Sequence, residues 1–122
     1  MVKDSNEIFS FEKLRVYQDS LDFSKKIYKL TKKFPKDEIF GITSQLRRAA
    51  SSVPLNIAEG SSLTKPEFKN FLRKSRGSLY ECIPILSIAL ENRYLADDQF
   101  EMLHKNCLRL AKSVSALINS IK

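Results

Sequence analysis

The chain predicts an all-α protein, an antiparallel up-down-up-down four-helix bundle. Three observations carry this. Apolar residues recur at three- and four-residue spacing through four separate stretches, the period of an amphipathic helix. The last stretch is the plainest, with Phe100, Leu103, Cys107, Leu110, Val114, Leu117 and Ile121 in unbroken register. Only three glycines occur in 122 residues, and none follows Asn or Asp, so hairpin turns of the β type are scarce. The stretches are joined by short connections with clear stop signals, which suits sequential helices packed as antiparallel neighbours. A chain of this length, 43% apolar and 29% charged, is one domain in size.

Residues 1–10 have mixed polarity and no period, and are expected to form a short flexible arm before a bundle spanning 11–122. A first helix is predicted over about 11–33. It carries two apolar stripes: Leu14, Tyr17, Leu21, Ser24 and Tyr28, and offset from it Val16, Phe23, Ile27, Leu30 and Phe34. One stripe is enough for the seam of a monomeric bundle, so the other either widens the core-facing sector or packs on a sister subunit. Phe34-Pro35 ends this helix, because a residue before proline avoids the α region.

The second helix is predicted over about 39–60. At 100° per residue Ile42, Leu46, Ala49, Val53 and Ile57 share a narrow apolar sector, and Arg48, Ser52 and Glu59 form a polar strip beside it. The small residues near its seam make it the close-packed member of the bundle. Pro54 removes one backbone hydrogen bond and should bend it. Gly60 is expected to close it as a left-handed cap.

Thr64-Lys65-Pro66-Glu67 reads as a capping box opening a third helix over about 65–92. Pro84 should kink that helix. Gly77 weakens it relative to alanine, and a close helix crossing there would compensate. Asp97-Asp98 then supplies acidic first-turn residues for the fourth helix.

The sequence of the second helix, RRAASSVPLNIAEG, strongly resembles the signature of the 23S ribosomal RNA intervening-sequence protein family. Accessory proteins of diversity-generating retroelements look like relatives of that family. The resemblance continues in Phe68-x-x-Phe71-Leu72, in Arg76-Gly77-Ser78-Leu79-Tyr80-Glu81 and in the tail 103–118, and covers roughly 11–119. Ser75 stands where alanine is usual, and Asn92-Arg93-Tyr94-Leu95 replaces the usual Gly-Tyr turn. The resemblance implies a four-helix bundle that assembles as a ring-like homo-oligomer, a pentamer. It also leaves open a role as helper of a nucleic-acid-processing enzyme.

The net charge of +7 is unevenly placed. Segment 13–36 holds eight basic and two acidic residues, 65–81 five and two, and 105–122 four and none, whereas 82–104 holds one and four. On the first helix Lys25, Lys29, Lys32 and Lys36 form a ridge, with Lys26 and Lys33 beside it. On the third, Lys65, Lys69, Arg73 and Arg76 form another. Such ridges suit the phosphates of RNA or DNA. Solvated lysine faces are also common, and cations near a helix C-terminus are stabilising without any ligand. Lys25, Lys29, Lys32, Lys33, Lys36, Arg47, Lys69 and Arg73 are the candidate nucleic-acid contacts. Guanidinium forks match phosphate geometry, but mixed signs on small-residue helices suggest mutual satisfaction. Arg48, Asn56, Glu59, Arg76 and Glu81 are therefore read first as a hydrogen-bonded network between helices or subunits.

Catalytic parts are not found. His104 is a lone histidine, no serine sits in a nucleophile motif, and no phosphate-binding glycine loop or Glu-x-x-His pair occurs. Cys82 and Cys107 lack metal-ligand spacing and read as buried free thiols. No cofactor, metal or catalytic residue is assigned. With no long apolar run and no apolar core in its first residues, the chain is expected to be cytoplasmic, with no membrane partner.

Overall fold

The computed structural model describes residues 7–122, so the first six residues of the expected arm lie outside the described residues. Four helices make up the fold: α1 (Arg15–Thr31), α2 (Ile42–Ser61), α3 (Lys65–Glu91) and α4 (Asp97–Ser120). There is no strand among the described residues. α1 packs on α2, α2 on α3 and α3 on α4, with a thinner contact between α1 and α4 and none across either diagonal. Two registers set the direction of the neighbours. As α2 advances from Val53 to Gly60, its contacts on α3 step back from Ser75 to Phe68. As α3 advances from Lys69 to Arg76, its contacts on α4 step back from Ile121 to Ser115. Both pairs therefore run antiparallel.

The core follows the predicted faces. Phe23, Ile27, Leu46, Val53, Ile57, Leu72, Leu79, Leu86, Leu103 and Val114 are fully buried. Of the two stripes on α1, the one through Val16, Phe23 and Ile27 is core, and the other is mostly flank, with Tyr28 open to solvent. Ser20 and Ser24 are buried on α1, as are Ala49 and Ala50 on α2. Small residues of this kind let backbones approach. Cys82 and Cys107 are buried and free. Contact with the Cys107 thiol, and burial, push the Cys82 thiol far up, so it stays protonated.

Several helix ends differ from expectation, each for a local reason. α1 starts at Arg15, not Phe11. Residues Ser10–Lys13 form a 3-10 turn in which the Phe9 N–H donates to the Glu12 carboxylate (2.9 Å), and Leu14 is extended. The Phe11 ring meets Tyr17 edge-on at 4.9 Å, which holds this turn against α1. α2 starts at Ile42 because Lys36–Glu38 form another 3-10 turn. Glu38 then accepts from the Ile42 N–H (3.3 Å) and from the Tyr94 hydroxyl (2.8 Å), capping α2 from one side and tying it to the α3–α4 turn. The predicted capping box is present: the Glu67 N–H donates to Thr64 Oγ1 (3.3 Å) and the Thr64 N–H to Glu67 Oε1 (3.1 Å). The Thr64 hydroxyl also donates to Glu67 Oε1 (2.7 Å), and this bond first, with that from the Thr64 N–H, holds the Glu67 carboxyl below its ordinary range.

Both glycine expectations are corrected. Gly60 lies inside α2 and no described glycine has a positive φ, so it is not a left-handed cap. Instead a Cβ there would sit 2.5 Å from Phe71 Cβ, so Gly60 is where α3 crosses α2. Gly77 is exposed, and a Cβ there would meet nothing within 4 Å. No crossing within the chain compensates the roughly 1 kcal/mol by which glycine weakens a helix interior relative to alanine.

The turn after α3 carries the one non-glycine left-handed residue among those described, Arg93 at φ 64. The Tyr94 N–H reaches back to Ala89 O (2.8 Å), a Schellman-type closure that favours glycine at the preceding position. Arg93→Gly is expected to raise stability by about 0.5–1 kcal/mol, the left-handed strain less glycine's extra unfolded-state entropy. Urea unfolding of the two proteins would check this.

Candidate nucleic-acid interface

The basic ridge of α1 lies on the C-terminal half of that helix, where the side of the helix facing away from the core turns toward α2. Lys25, Lys29 and Lys32 line a shallow trough with Leu21, Ser24 and Tyr28. Lys33 and Lys36 continue the exposed basic surface past the helix end. Among the described residues none of these lysines is paired with a carboxylate; the ion pair seen is Arg15 with Asp19, at the other end of α1. Charge at the C-terminal end of a helix is also favoured by the helix dipole, so the ridge is compatible with a stable α1.

Arg47 joins this surface from α2. Its Nε donates to Thr31 Oγ1 (2.8 Å), its Nη2 to Tyr28 O (3.4 Å), and its guanidinium lies 4.8 Å over the Tyr28 ring. Thr31 in turn donates to Ile27 O (2.7 Å). Arg47 thus fastens the last turn of α1 to α2, and its charge lies beside the three lysines. Tyr28 is 44% exposed at the centre of this group. Residue spacing had placed Tyr28 only in an apolar stripe. Its position between Lys25 and Lys29 is the sequence signal for this grouping, an aromatic ring flanked by cations.

Lys69 and Arg73 lie elsewhere. Lys69 is half-buried and its Nζ reaches Ile121 O (3.5 Å) at the end of α4, while Arg73 donates to Asn70 in its own helix (3.0 Å). α1 and α3 are diagonal in the bundle and do not touch. One chain therefore presents two separate basic surfaces, and the eight candidate contacts are not brought together.

The five network candidates are not joined to one another either. Arg76 donates to Ser115 on α4 (2.9 Å) and Asn56 to Ser52 in its own helix (2.7 Å). Arg48, Glu59 and Glu81 are exposed, with no side-chain hydrogen bond or ion pair among the described residues. Arg48, Glu59 and Glu81 lie on the outer surface where α2 and α3 meet, and Arg76 faces α4. His104 is exposed at the surface of α4 beside Phe100. Among the described residues no helix is long and apolar enough to cross a membrane.

Fold and surface together define a small basic four-helix bundle with a lysine ridge on its first helix. The chain belongs to the 23S rRNA-intervening sequence protein family, whose sequence model matches residues 12–116. It is also similar to a crystal structure from Bacteroides thetaiotaomicron, described as a protein of unknown function from the S23 ribosomal protein family. The two are 22% identical with a TM-score of 0.80, over 86% of this chain and 96% of that one. Identity at that level carries the fold. No curated protein matches the chain.

Proposed function

We propose that this protein is a non-catalytic, self-associating bundle that holds the phosphate backbone of RNA or DNA on the α1 ridge. The observation that carries this reading is the cluster of Lys25, Lys29 and Lys32 around Tyr28, with Arg47 over the ring and, among the described residues, no carboxylate paired to any of the lysines. Point charges on flexible stems neutralise phosphates without reading bases, so binding would be tight at low salt and indifferent to sequence. Self-association, as the ring of five that the family resemblance implies, would repeat the ridge and raise its avidity.

A second reading is a scaffold for a nucleic-acid-processing enzyme, without direct nucleic-acid contact. Tyr80 and Leu108 favour it, since they flank an apolar trough between α3 and α4 and are 65% and 51% exposed. Salt separates the two. Fluorescence-anisotropy titration of labelled structured RNA and duplex DNA should show affinity falling roughly 100-fold between 50 and 200 mM salt, as about four phosphate contacts require. Binding that ignores salt, or none at the lower salt, would favour the scaffold.

A further inference from the structure

We infer that the α1 surface takes single-stranded nucleic acid in preference to duplex, with unpaired bases stacked on Tyr28 and Phe40 while the neighbouring lysines hold the phosphates. The inference deepens the phosphate-binding reading above and rests on it. Two features of this end of the bundle have no use in a surface that works by charge alone. Phe40, in the turn before α2, is 94% exposed, and its ring stacks on no other described residue. Ser24 lines the trough with Tyr28 and is only 6% exposed, yet its hydroxyl has no hydrogen-bond partner among the described residues. A buried polar group left without a partner is costly, and a bound molecule that supplies the bond removes that cost.

The chemistry of the surface names the occupant. The trough is mostly apolar along its floor and carries lysines at its rim. A nucleotide has the matching parts: a base with flat apolar faces and polar edges, joined to an anionic phosphate. A base lying on Tyr28 brings a polar edge to Ser24 and leaves its phosphate to Lys25 or Lys29. α1 ends at Thr31, and the exposed Lys32, Lys33 and Lys36 lie in the chain between Tyr28 and Phe40. Arg47, over the Tyr28 ring, stands two helical turns after Phe40, so the two rings share one end of the bundle, roughly 10 Å apart along its axis. Of the two carboxylates in the connecting turn, Glu38 is bonded to the Tyr94 hydroxyl and the Ile42 N–H, which leaves Asp37 as the anion facing those lysines. Cations interleaved with aromatic rings are the means by which proteins hold single strands, since any unpaired base can stack. In a duplex the bases already stack on one another and reach neither ring. Charge alone would favour the duplex, which has the denser phosphates, so the sign of the preference separates the two modes.

Fluorescence anisotropy of the full chain at low salt tests this with three labelled probes: a DNA strand, its duplex with the complement, and an equally long strand of abasic residues. The single strand should bind at least about fivefold tighter than either of the others. Phe40→Ala and Tyr28→Leu should each weaken the single strand about tenfold and leave the duplex within about threefold. Phe40 touches so little of the chain that its removal should leave the fold intact, as circular dichroism would show. Failure of all three probes to bind would overturn phosphate binding and this inference together. Duplex bound as well as the single strand, or the abasic strand bound as well as the natural one, would overturn the stacking and leave phosphate binding standing. A single-strand preference that survives both substitutions would overturn the assignment to these two rings. Capture by vesicles of anionic phospholipid that Phe40→Ala abolishes, with no preference between the strands, would overturn the inference and give Phe40 to a lipid surface.

Discussion

Gly60→Ala is expected to destabilise the fold by about 2 kcal/mol, lowering the melting temperature by roughly 8 °C. The added methyl would sit 2.5 Å from Phe71 Cβ and 3.1 Å from Phe68 Cδ1. A Cβ cannot swing aside as the end of a long side chain can, so α3 must shift away from α2 along their shared face. Alanine is the better helix former by about 1 kcal/mol, which offsets part of the strain. The same substitution at Gly77 is the control. With open space around it, Gly77→Ala should gain up to about 1 kcal/mol in the isolated chain. Thermal unfolding of the two variants at a concentration that keeps the chain monomeric would check both, and equal effects would contradict this account of the crossing.

The glycines show where the sequence was legible and where it was not. Period, capping residues and prolines are local signals, and they placed all four helices. The Thr64–Glu67 box and the α4 seam through Leu103, Cys107 and Val114 stand as the pattern predicts. Which glycine meets another helix is not local. It depends on how far α2 and α3 slide along each other, and nothing in either helix alone reports that. Gly60 near a helix end suggested a cap, and Gly77 in mid-helix suggested a crossing, yet the packing reverses the two. The starts of α1 and α2 were misplaced for a related reason. Leu14 is extended, and Glu38 caps from the preceding turn, and such arrangements depend on distant partners such as Tyr94.

The surface was legible in part. Spacing alone placed Lys25, Lys29 and Lys32 on one side of α1. It could not tell that the α3 ridge faces elsewhere, because helix order around the bundle is a tertiary fact. Arg47 and Arg48 are adjacent in sequence and looked alike. A turn of 100° sends one over Tyr28 and leaves the other on the open surface of α2.

The largest expected effect on binding is that of Lys29→Glu/Lys32→Glu. The pair removes two cations from the centre of the ridge and adds two anions, so affinity for RNA or DNA at low salt should fall more than about 100-fold. Both side chains are exposed, without a carboxylate partner among the described residues. The main stability cost of the change is the unfavourable anion at a helix C-terminus, up to about 1 kcal/mol each, so the bundle should survive. Lys69→Glu/Arg73→Glu makes the same change of charge on the α3 surface. Because α1 and α3 lie on opposite corners of the bundle, it should cost far less.

The measurement that tests the central claim most directly is a side-by-side anisotropy titration of the starting protein and these two charge reversals. One structured RNA and one salt concentration suffice, with circular dichroism confirming the fold of each. The account predicts tight binding by the starting protein, near-complete loss in Lys29→Glu/Lys32→Glu, and a small change in Lys69→Glu/Arg73→Glu. Equal loss in the two variants, or undiminished binding by the α1 variant, would contradict the assignment of phosphate binding to α1.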